Sequence, residues 1–444
     1  MNLYQLIEDQ NPWWQEPGAR RANRFPVRRD LQKEVLERVC KLDDRRAVVI
    51  LGPRQVGKTT LLLQTADDLL SQGWPGRNLT YFDFSDDRLT GNITAREIVE
   101  ASPTGSLRSY PRVFLFDEIR LSPKWGPWLK QMVDADLHRI VVTDSASSIL
   151  RDEGRESGQG RWDEYLLEGL TFREFARLHS SQSETEEETI RRIPNLLERY
   201  LAAGGFPEHA YNEDYFEVRR RLRTDIVDKA IHRDLAGMGV NDLRVKELFI
   251  YLMQDSGSIF DAVKRAEDLR PKADPRSVRE WVHKLESTLL VVPLPRNTRY
   301  AAARLRSRPK MYASDHGLVV SFSSSPLREE IVRSRVFEAV IFRHLRDAAK
   351  KMGGELSYFR RNDRLEIDFV FEGKAGNAAI EVTCSPNPAK EKKKSLQLGG
   401  RAVKAARLLT IHGGMLDRSE DGIQFIPLQR FLLDPISILE SRTP

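Results

Sequence analysis

The residues best suited to chemistry open with one short run, Gly52-Pro53-Arg54-Gln55-Val56-Gly57-Lys58-Thr59-Thr60. It has the spacing Gly-x-x-x-x-Gly-Lys-Thr, in which successive amides and a helix N-terminus wrap an anionic phosphate. Glycine at 52 and 57 permits backbone conformations and close approaches that a Cβ would block. Lys58 is then expected to bridge the β- and γ-phosphates of ATP, and Thr59 to offer its hydroxyl to Mg2+. A second run, Arg112-Val113-Phe114-Leu115-Phe116-Asp117-Glu118, ends an apolar segment on two carboxylates. Asp117 is expected to reach Mg2+ through water or from behind its direct ligands. Glu118 is expected to be the base that orients the attacking water. The expected ligands are therefore ATP and Mg2+, and the expected reaction is hydrolysis.

These groups need a scaffold that brings strand ends together. An apolar strand precedes the glycine-rich run and an amphipathic helix follows it. Strand candidates at Ala47–Leu51, Leu79–Phe84, Arg112–Phe116, Arg139–Thr143 and Tyr165–Leu170 alternate with helical patterns, which predicts a parallel α/β sheet. Leu79–Phe84 falls between the two motifs, as suits a hydrolase with a catalytic glutamate better than a small nucleotide kinase. The strand ending Thr143-Asp144-Ser145 opens on the same edge of a doubly wound sheet, so Thr143 is expected to sense the γ-phosphate. Arg151, Arg155 and Arg161 follow in a glycine-rich stretch, where a guanidinium could stabilise transition-state charge in cis or across a subunit boundary.

Composition sets the outer bounds. With 444 residues, 40% of them hydrophobic and 31% charged, two to four domains are expected. No apolar run approaches the ~18–20 residues of a membrane span, and the N-terminus lacks the pattern of a secretion signal. Cys40 and Cys384 stand far apart, against a disulfide framework or a cysteine metal site. Together these predict a cytoplasmic protein with no membrane partner. The net charge is +6, and the cations cluster. Arg20, Arg21, Arg24, Arg28 and Arg29 form one group; Lys390, Lys392, Lys393, Lys394, Arg401, Lys404 and Arg407 form another. Each suits either a polyphosphate backbone or a solvated helix face.

The motifs resemble prokaryotic AAA-type ATPases whose loop reads GPRQVGKTT and which carry a C-terminal region of unassigned function. The matching segments are LGPRQVGKTTLL, VFLFDEIRLSPKWGPWLKQMVD, VVTDSASSIL, GQGRWDEYLLEGLTFREF, YLAAGGFPE and KMYASDHGL, spanning roughly residues 45–385. The family's third strand usually ends in Thr-Gly-Ser-Ser; here Asp144 replaces the glycine. Its Gly-Arg pair falls on Gly160-Arg161, which singles out Arg161 among the arginines as the candidate finger.

The resemblance, with the helical stripe Val278, Trp281, Val282, Leu285 and Leu289 and a β-ribbon at Val291–Leu294 and Lys310–Ala313, implies a winged helix. Its wing would carry Arg296, Arg299, Arg304, Arg306 and Arg308. Further on, Glu338 on a helix, then LEIDFVF and AAIEVTCS, resemble the restriction-endonuclease-like family. That resemblance implies metal-binding carboxylates at Asp368 and Glu381, but Thr383 stands where the family has lysine, so transition-state charge would go unanswered. Lys390 is one lysine that could move in. The expected organisation is a leader over 1–40, an α/β P-loop AAA-type domain over 41–179, a helical lid over 190–240, a winged helix over 241–318 and a nuclease-like α/β domain over 326–444. Three functions stay open: an ATP-driven switch for a DNA- or partner-binding C-terminal half, an ATP-regulated metal-dependent nuclease, and an ATP-controlled protein-interaction module. AAA-type relatives also imply a homo-oligomer.

Overall fold

Apolar runs flanked by glycine and acidic residues pair side by side in the first part of the chain. The computed structural model describes residues 2–21, 27–41, 43–89, 91–104, 110–136, 138–145, 160–180, 186–235, 242–298, 300–362, 365–374, 376–387 and 390–441. Arg24, Arg151, Arg155 and Arg299 lie outside the described residues. The chain divides into two compact units, Met1–Glu168 and Gly169–Pro444.

In the first unit, strands β1 (Ala47–Leu51), β2 (Leu79–Asp83), β3 (Arg112–Asp117), β4 (His138–Asp144) and β5 (Trp162–Leu166) form a parallel sheet in the order β2-β3-β4-β1-β5. Helices α1 (Leu3–Gln10), α2 (Asp30–Cys40), α3 (Lys58–Ser71), α4 (Ala95–Ala101) and α5 (Trp125–Ala135) accompany it. The interior strands β1, β3 and β4 bury nearly every side chain, each large apolar one contributing about 1.5–3 kcal/mol. Parallel register aligns their C-terminal ends, Leu51 beside Asp144 and Asp83 beside Asp117. β5 lies three to four residues earlier than expected. It is an edge strand of mixed polarity, whereas the apolar Leu167 and Leu170 belong to the segment that leaves the sheet.

The first residues close the other edge. Asn11 accepts from the Tyr81 amide at 2.7 Å and donates to the Tyr81 carbonyl at 2.8 Å. Gln10 accepts from the Asp83 amide, and the indoles of Trp13 and Trp14 both donate to the Leu79 carbonyl. Side-chain amides thus satisfy the open backbone of β2 much as a further strand would.

The second unit begins earlier than the expected domain boundary at 179. Helix α6 (Phe172–Leu178) starts with a capping box of Thr171 and Glu174, and the Phe172 amide donates to the buried His344 ring. After α7 (Glu186–Ala203) and α8 (Tyr215–Arg221), the chain runs on through two π-helical stretches, Leu222–Asp228 and Ala230–Asp234. Next come α9 (Asp242–Gln254), β6 (Ser258–Ile259), α10 (Ala262–Asp268), α11 (Pro275–Ser287), β7 (Val291–Leu294), α12 (Ala301–Arg306) and β8 (Lys310–Ala313). Their strands form an antiparallel sheet, β6-β8-β7. α13 (His316–Phe322) and α14 (Glu330–Lys351) lead to β9 (Glu355–Asn362), β10 (Leu365–Gly373) and β11 (Gly376–Thr383). α15 (Lys390–Ala402), β12 (Arg407–His412), β13 (Arg418–Glu420), β14 (Ile423–Pro427), α16 (Leu428–Leu433) and α17 (Pro435–Glu440) complete a six-stranded mixed sheet, β13-β14-β12-β11-β10-β9.

Two motifs that carry the family resemblance meet in a structural knot. The buried Asp315 carboxylate accepts from the amides of Gly205 and Gly317. A Cβ at Gly169, Gly204 or Gly205 would lie 2.6–2.7 Å from its oxygens. These glycines are therefore demanded by close packing around one carboxylate.

Candidate active site at the phosphate loop

Gly52 passes so close to the segment leaving β5 that a Cβ would sit 2.1 Å from the Leu167 carbonyl oxygen. Gln55 and Gly57 take positive φ, 63° and 96°, which turns the loop back on itself before α3 begins. Inside the turn the Lys58 ammonium donates to the carbonyls of Gly52 and Pro53 at 2.8 and 2.9 Å. Burial lowers its pKa, against the opposing pull of Glu118, Asp117 and Asp144. Arg54 and Thr60 are half-buried, Gln55 and Thr59 exposed, and Pro53 and Val56 buried.

Asp117 is the hub of the site. Thr59 Oγ1 donates to its Oδ2 at 2.5 Å, Thr143 Oγ1 donates to Oδ1, and the Tyr81 hydroxyl lies 3.4 Å from Oδ2. Burial pushes the Asp117 pKa up to about 6, restrained by the Thr143 and Thr59 hydrogen bonds. Glu118 follows in a left-handed conformation, φ 52°. Its amide donates to Thr143 Oγ1 at 3.3 Å, and its carboxylate accepts from Ser145 Oγ. Five residues from three separated stretches, Lys58, Thr59, Asp117, Glu118 and Thr143, thus come together.

Asp144, the departure from the family pattern, is completely buried. Burial raises its pKa to about 7, and Arg120 pulls it back down. Arg120 Nε lies 3.0 Å from Asp144 Oδ1 and 3.7 Å from Glu118 Oε2. Sequence reasoning missed Arg120 and Tyr81, placed Ser145 at this edge without a role, and missed the structural use of Arg29. That guanidinium donates to the Val56 and Glu168 carbonyls, both at 2.9 Å, and so braces the loop from outside.

Arg161 does not fit a finger acting in cis. It precedes β5, and its carbonyl accepts from the Ala47 amide at the start of β1. The phosphate loop leaves the other end of β1. With about 3.3 Å of rise per residue, the length of that strand separates Arg161 from the loop, and its guanidinium pairs with Asp134 at 2.9 Å. It takes no part in the phosphate site of its own chain.

The N-terminal basic cluster is largely committed to packing, and the C-terminal one keeps Lys390, Lys394, Arg401 and Lys404 exposed. Arg20 and Arg21 donate to backbone carbonyls, Arg21 also lies over the Tyr81 ring, and Arg28 pairs with Asp68. Arg407 is buried and holds the carbonyls of Ile438, Leu439 and Ser441. In the expected wing, Arg296 donates to the Arg360 carbonyl, Arg304 pairs with Glu355 and Arg308 with Asp261. The segment after β7 is stitched to β9, with the Tyr358 amide on the Pro295 carbonyl and the Asn297 amide on the Tyr358 carbonyl.

A second set of acidic groups lies in the C-terminal sheet. Asp368 and Glu381 occupy neighbouring strands, and the Val382 amide donates to Asp368 Oδ2 at 3.0 Å. Glu338 joins from α14, its pKa raised to about 7 by burial, with Lys310 opposing and Asp368 reinforcing the shift. Burial likewise raises Glu381, assisted by Asp368. Thr383 accepts from the Ser385 amide in a turn. The lysine that approaches is Lys392, not Lys390; its Nζ is 2.8 Å from the Val382 carbonyl and 3.9 Å from Glu381 Oε2. Lys310 sits among the other carboxylates, 2.8 Å from Glu366, 3.5 Å from Glu338 and 3.6 Å from Asp368. Among the described residues, no three His, Cys, Asp or Glu side chains are arranged to hold a metal ion. Each carboxylate of the expected metal pair already faces an ammonium, Asp368 that of Lys310 at 3.6 Å and Glu381 that of Lys392 at 3.9 Å, which disfavours a dication there.

Residues 44–176 match the family model of the AAA domain. A phosphate loop at the head of a β2-β3-β4-β1-β5 parallel sheet agrees with that match, so this part of the chain is similar to AAA domains of the P-loop ATPase class. Residues 194–328 and 333–431 match two domains of unknown function, DUF8612 and DUF4143. An uncharacterized protein of Haemophilus influenzae is 25% identical over 279 residues, covering 61% of this chain and 67% of the relative. One from Mycobacterium bovis is 24% identical over 394 residues, covering 86% and 80%. Among solved structures, C. elegans PCH-2 is 18% identical with a TM-score of 0.24; the match covers 33% of this chain and 45% of that one, under half its length. A likeness that weak supports no conclusion. No described helix is long and apolar enough to cross a membrane, and Cys40 and Cys384 are free thiols.

Proposed function

We propose that the chain hydrolyses ATP and uses the nucleotide cycle to switch a binding element in its second unit. The observation that carries this reading is the convergence of the Thr59 and Thr143 hydroxyls on Asp117, with Glu118 alongside. Lys58 rests on two loop carbonyls, so an anion entering the loop would take over an ammonium already aimed inward. Thr59 and Asp117 are the groups that would hold Mg2+, which when bound neutralises charge on the phosphates. Glu118 would orient water and accept its proton once released from Ser145. Steady-state hydrolysis of Mg-ATP tests the assignment: Lys58→Ala should abolish turnover, and Glu118→Gln should bind nucleotide without hydrolysing it. Normal turnover by Glu118→Gln would remove the glutamate from its role.

For the output, the order α9-β6-α10-α11-β7-β8 supports a winged helix, and α14-β9-β10-β11-α15-β12 supports a restriction-endonuclease-like core. DNA contact through this unit rests on α11, whose Arg276 and Arg279 are exposed beside Lys272. The wing arginines give it less support, since three of them are held internally. ATP hydrolysis measured with and without double-stranded DNA distinguishes a DNA switch, which is stimulated, from a protein-interaction module, which is not.

A further inference from the structure

We propose that Lys310 is the resident cation of the C-terminal carboxylate cluster, an ammonium fixed in the fold where a nuclease would place a divalent metal. The cluster then acts as a latch that fastens the β6-β8-β7 ribbon to helix α14 and strand β10.

Lys310 stands on β8 and is only 4% exposed. Its ammonium lies within 4 Å of three carboxylates, closest to Glu366 on β10 at 2.8 Å, with Glu338 on α14 and Asp368 on β10 at 3.5 and 3.6 Å. The surroundings fix that arrangement. The Tyr312 hydroxyl, two residues along the same strand, donates to Glu338 Oε1 at 2.6 Å. The Tyr312 ring stacks on Phe342 at 4.1 Å and packs against Phe369. The turn before β6 closes over the same carboxylate, since a Cβ on Gly257 would lie 2.9 Å from Glu338 Oε1. Lys310 also lies over the Tyr358 ring, and Arg360 faces Glu366 at 3.6 Å. On the far side, Lys392 faces Glu381, the partner of Asp368.

Burial by itself lowers the pKa of Lys310, but Glu338, Asp368 and Glu366 more than reverse that, so its pKa is raised and it stays charged. A dication between the same oxygens needs ligands at about 2.0–2.6 Å. It would have to share a buried space with an ammonium it repels. Metal entry therefore requires Lys310 to leave, and leaving would strand a buried charge.

The test uses the full chain. Lys310→Met keeps the length of the side chain and removes its charge. Its unfolding constant, measured in urea at pH 8, should exceed the wild-type value about a hundredfold. The gap should narrow as pH falls below 7, because carboxylates without a counter-ion bind protons more tightly folded than unfolded. The double variant Lys310→Met/Glu338→Gln should recover part of the loss, and this holds as a test even if the single variant does not fold. Millimolar Mn2+, followed by calorimetry, should show no binding to the wild type that Asp368→Asn abolishes. Three results would each overturn the proposal: Lys310→Met as stable as wild type across this pH range, a double variant no better than the single, or Mn2+ binding or Mn2+-dependent DNA cleavage by the wild type that Asp368→Asn removes.

Discussion

Arg120 Nε lies 3.0 Å from the wholly buried carboxylate of Asp144, and the same guanidinium lies 3.7 Å from Glu118. The pair explains how a carboxylate is tolerated beside a phosphate-binding loop. Arg120→Ala should cost about 3–5 kcal/mol at pH 8, the usual penalty for leaving a buried charge unpaired. The sign of the pH dependence follows from Asp144, whose folded pKa is raised to about 7. Below that value the folded protein takes up a proton that the unfolded chain does not, so the penalty fades toward pH 5. Urea unfolding at the two pH values measures it; an equal loss at both would disprove the assignment.

Thr143 links the two acidic residues of the site, donating to Asp117 and accepting from the Glu118 amide. Losing such a buried link is worth about 1–3 kcal/mol, or roughly ten- to a hundredfold in rate if it acts on the transition state. Thr143→Ala should therefore lower kcat by that factor with little change in nucleotide affinity. Unchanged turnover would make Thr143 merely a satisfied strand-end hydroxyl.

Arg161 sits at the other end of β1 from the loop, in a partly exposed pair with Asp134. Arg161→Ala should keep hydrolysis within about twofold of wild type and cost about 0–1 kcal/mol of stability. A loss of a hundredfold or more, measured across a range of protein concentrations, would show that a second copy needs this arginine.

If the second unit binds DNA, the salt dependence should say where. Replacing Arg276 and Arg279 on α11 with alanine should reduce the slope of log affinity against log salt by about one for each phosphate no longer neutralised. Replacing Arg304 and Arg308 should leave the slope alone, because both are engaged by Glu355 and Asp261. The reverse pattern would place DNA on the ribbon.

Much of the phosphate site was legible because its residues are bound to local pattern. Ala47–Leu51 is a short apolar strand delivered straight into a glycine turn, and β1, β7 and β8 fall where periodicity puts them. β5 was displaced because an edge strand need not be apolar, and β12, β13 and β14 were not anticipated. Pairings across the fold have no spacing rule at all. Asp144 was visible as an anomaly, but its partner Arg120 needed the turn after β3 to be seen in space. Lys310 drew no attention as the first residue of a ribbon strand, because only the packing of β8 against α14 and β10 brings it beside three carboxylates.

Asn11 grips both backbone groups of Tyr81, so the first residues cover the open edge of the sheet. A chain shortened past Trp14 would expose the hydrogen-bonding rim of β2 as a template onto which another copy could add a strand. Its earliest symptom would be lost solubility at high concentration, with the phosphate loop itself still intact.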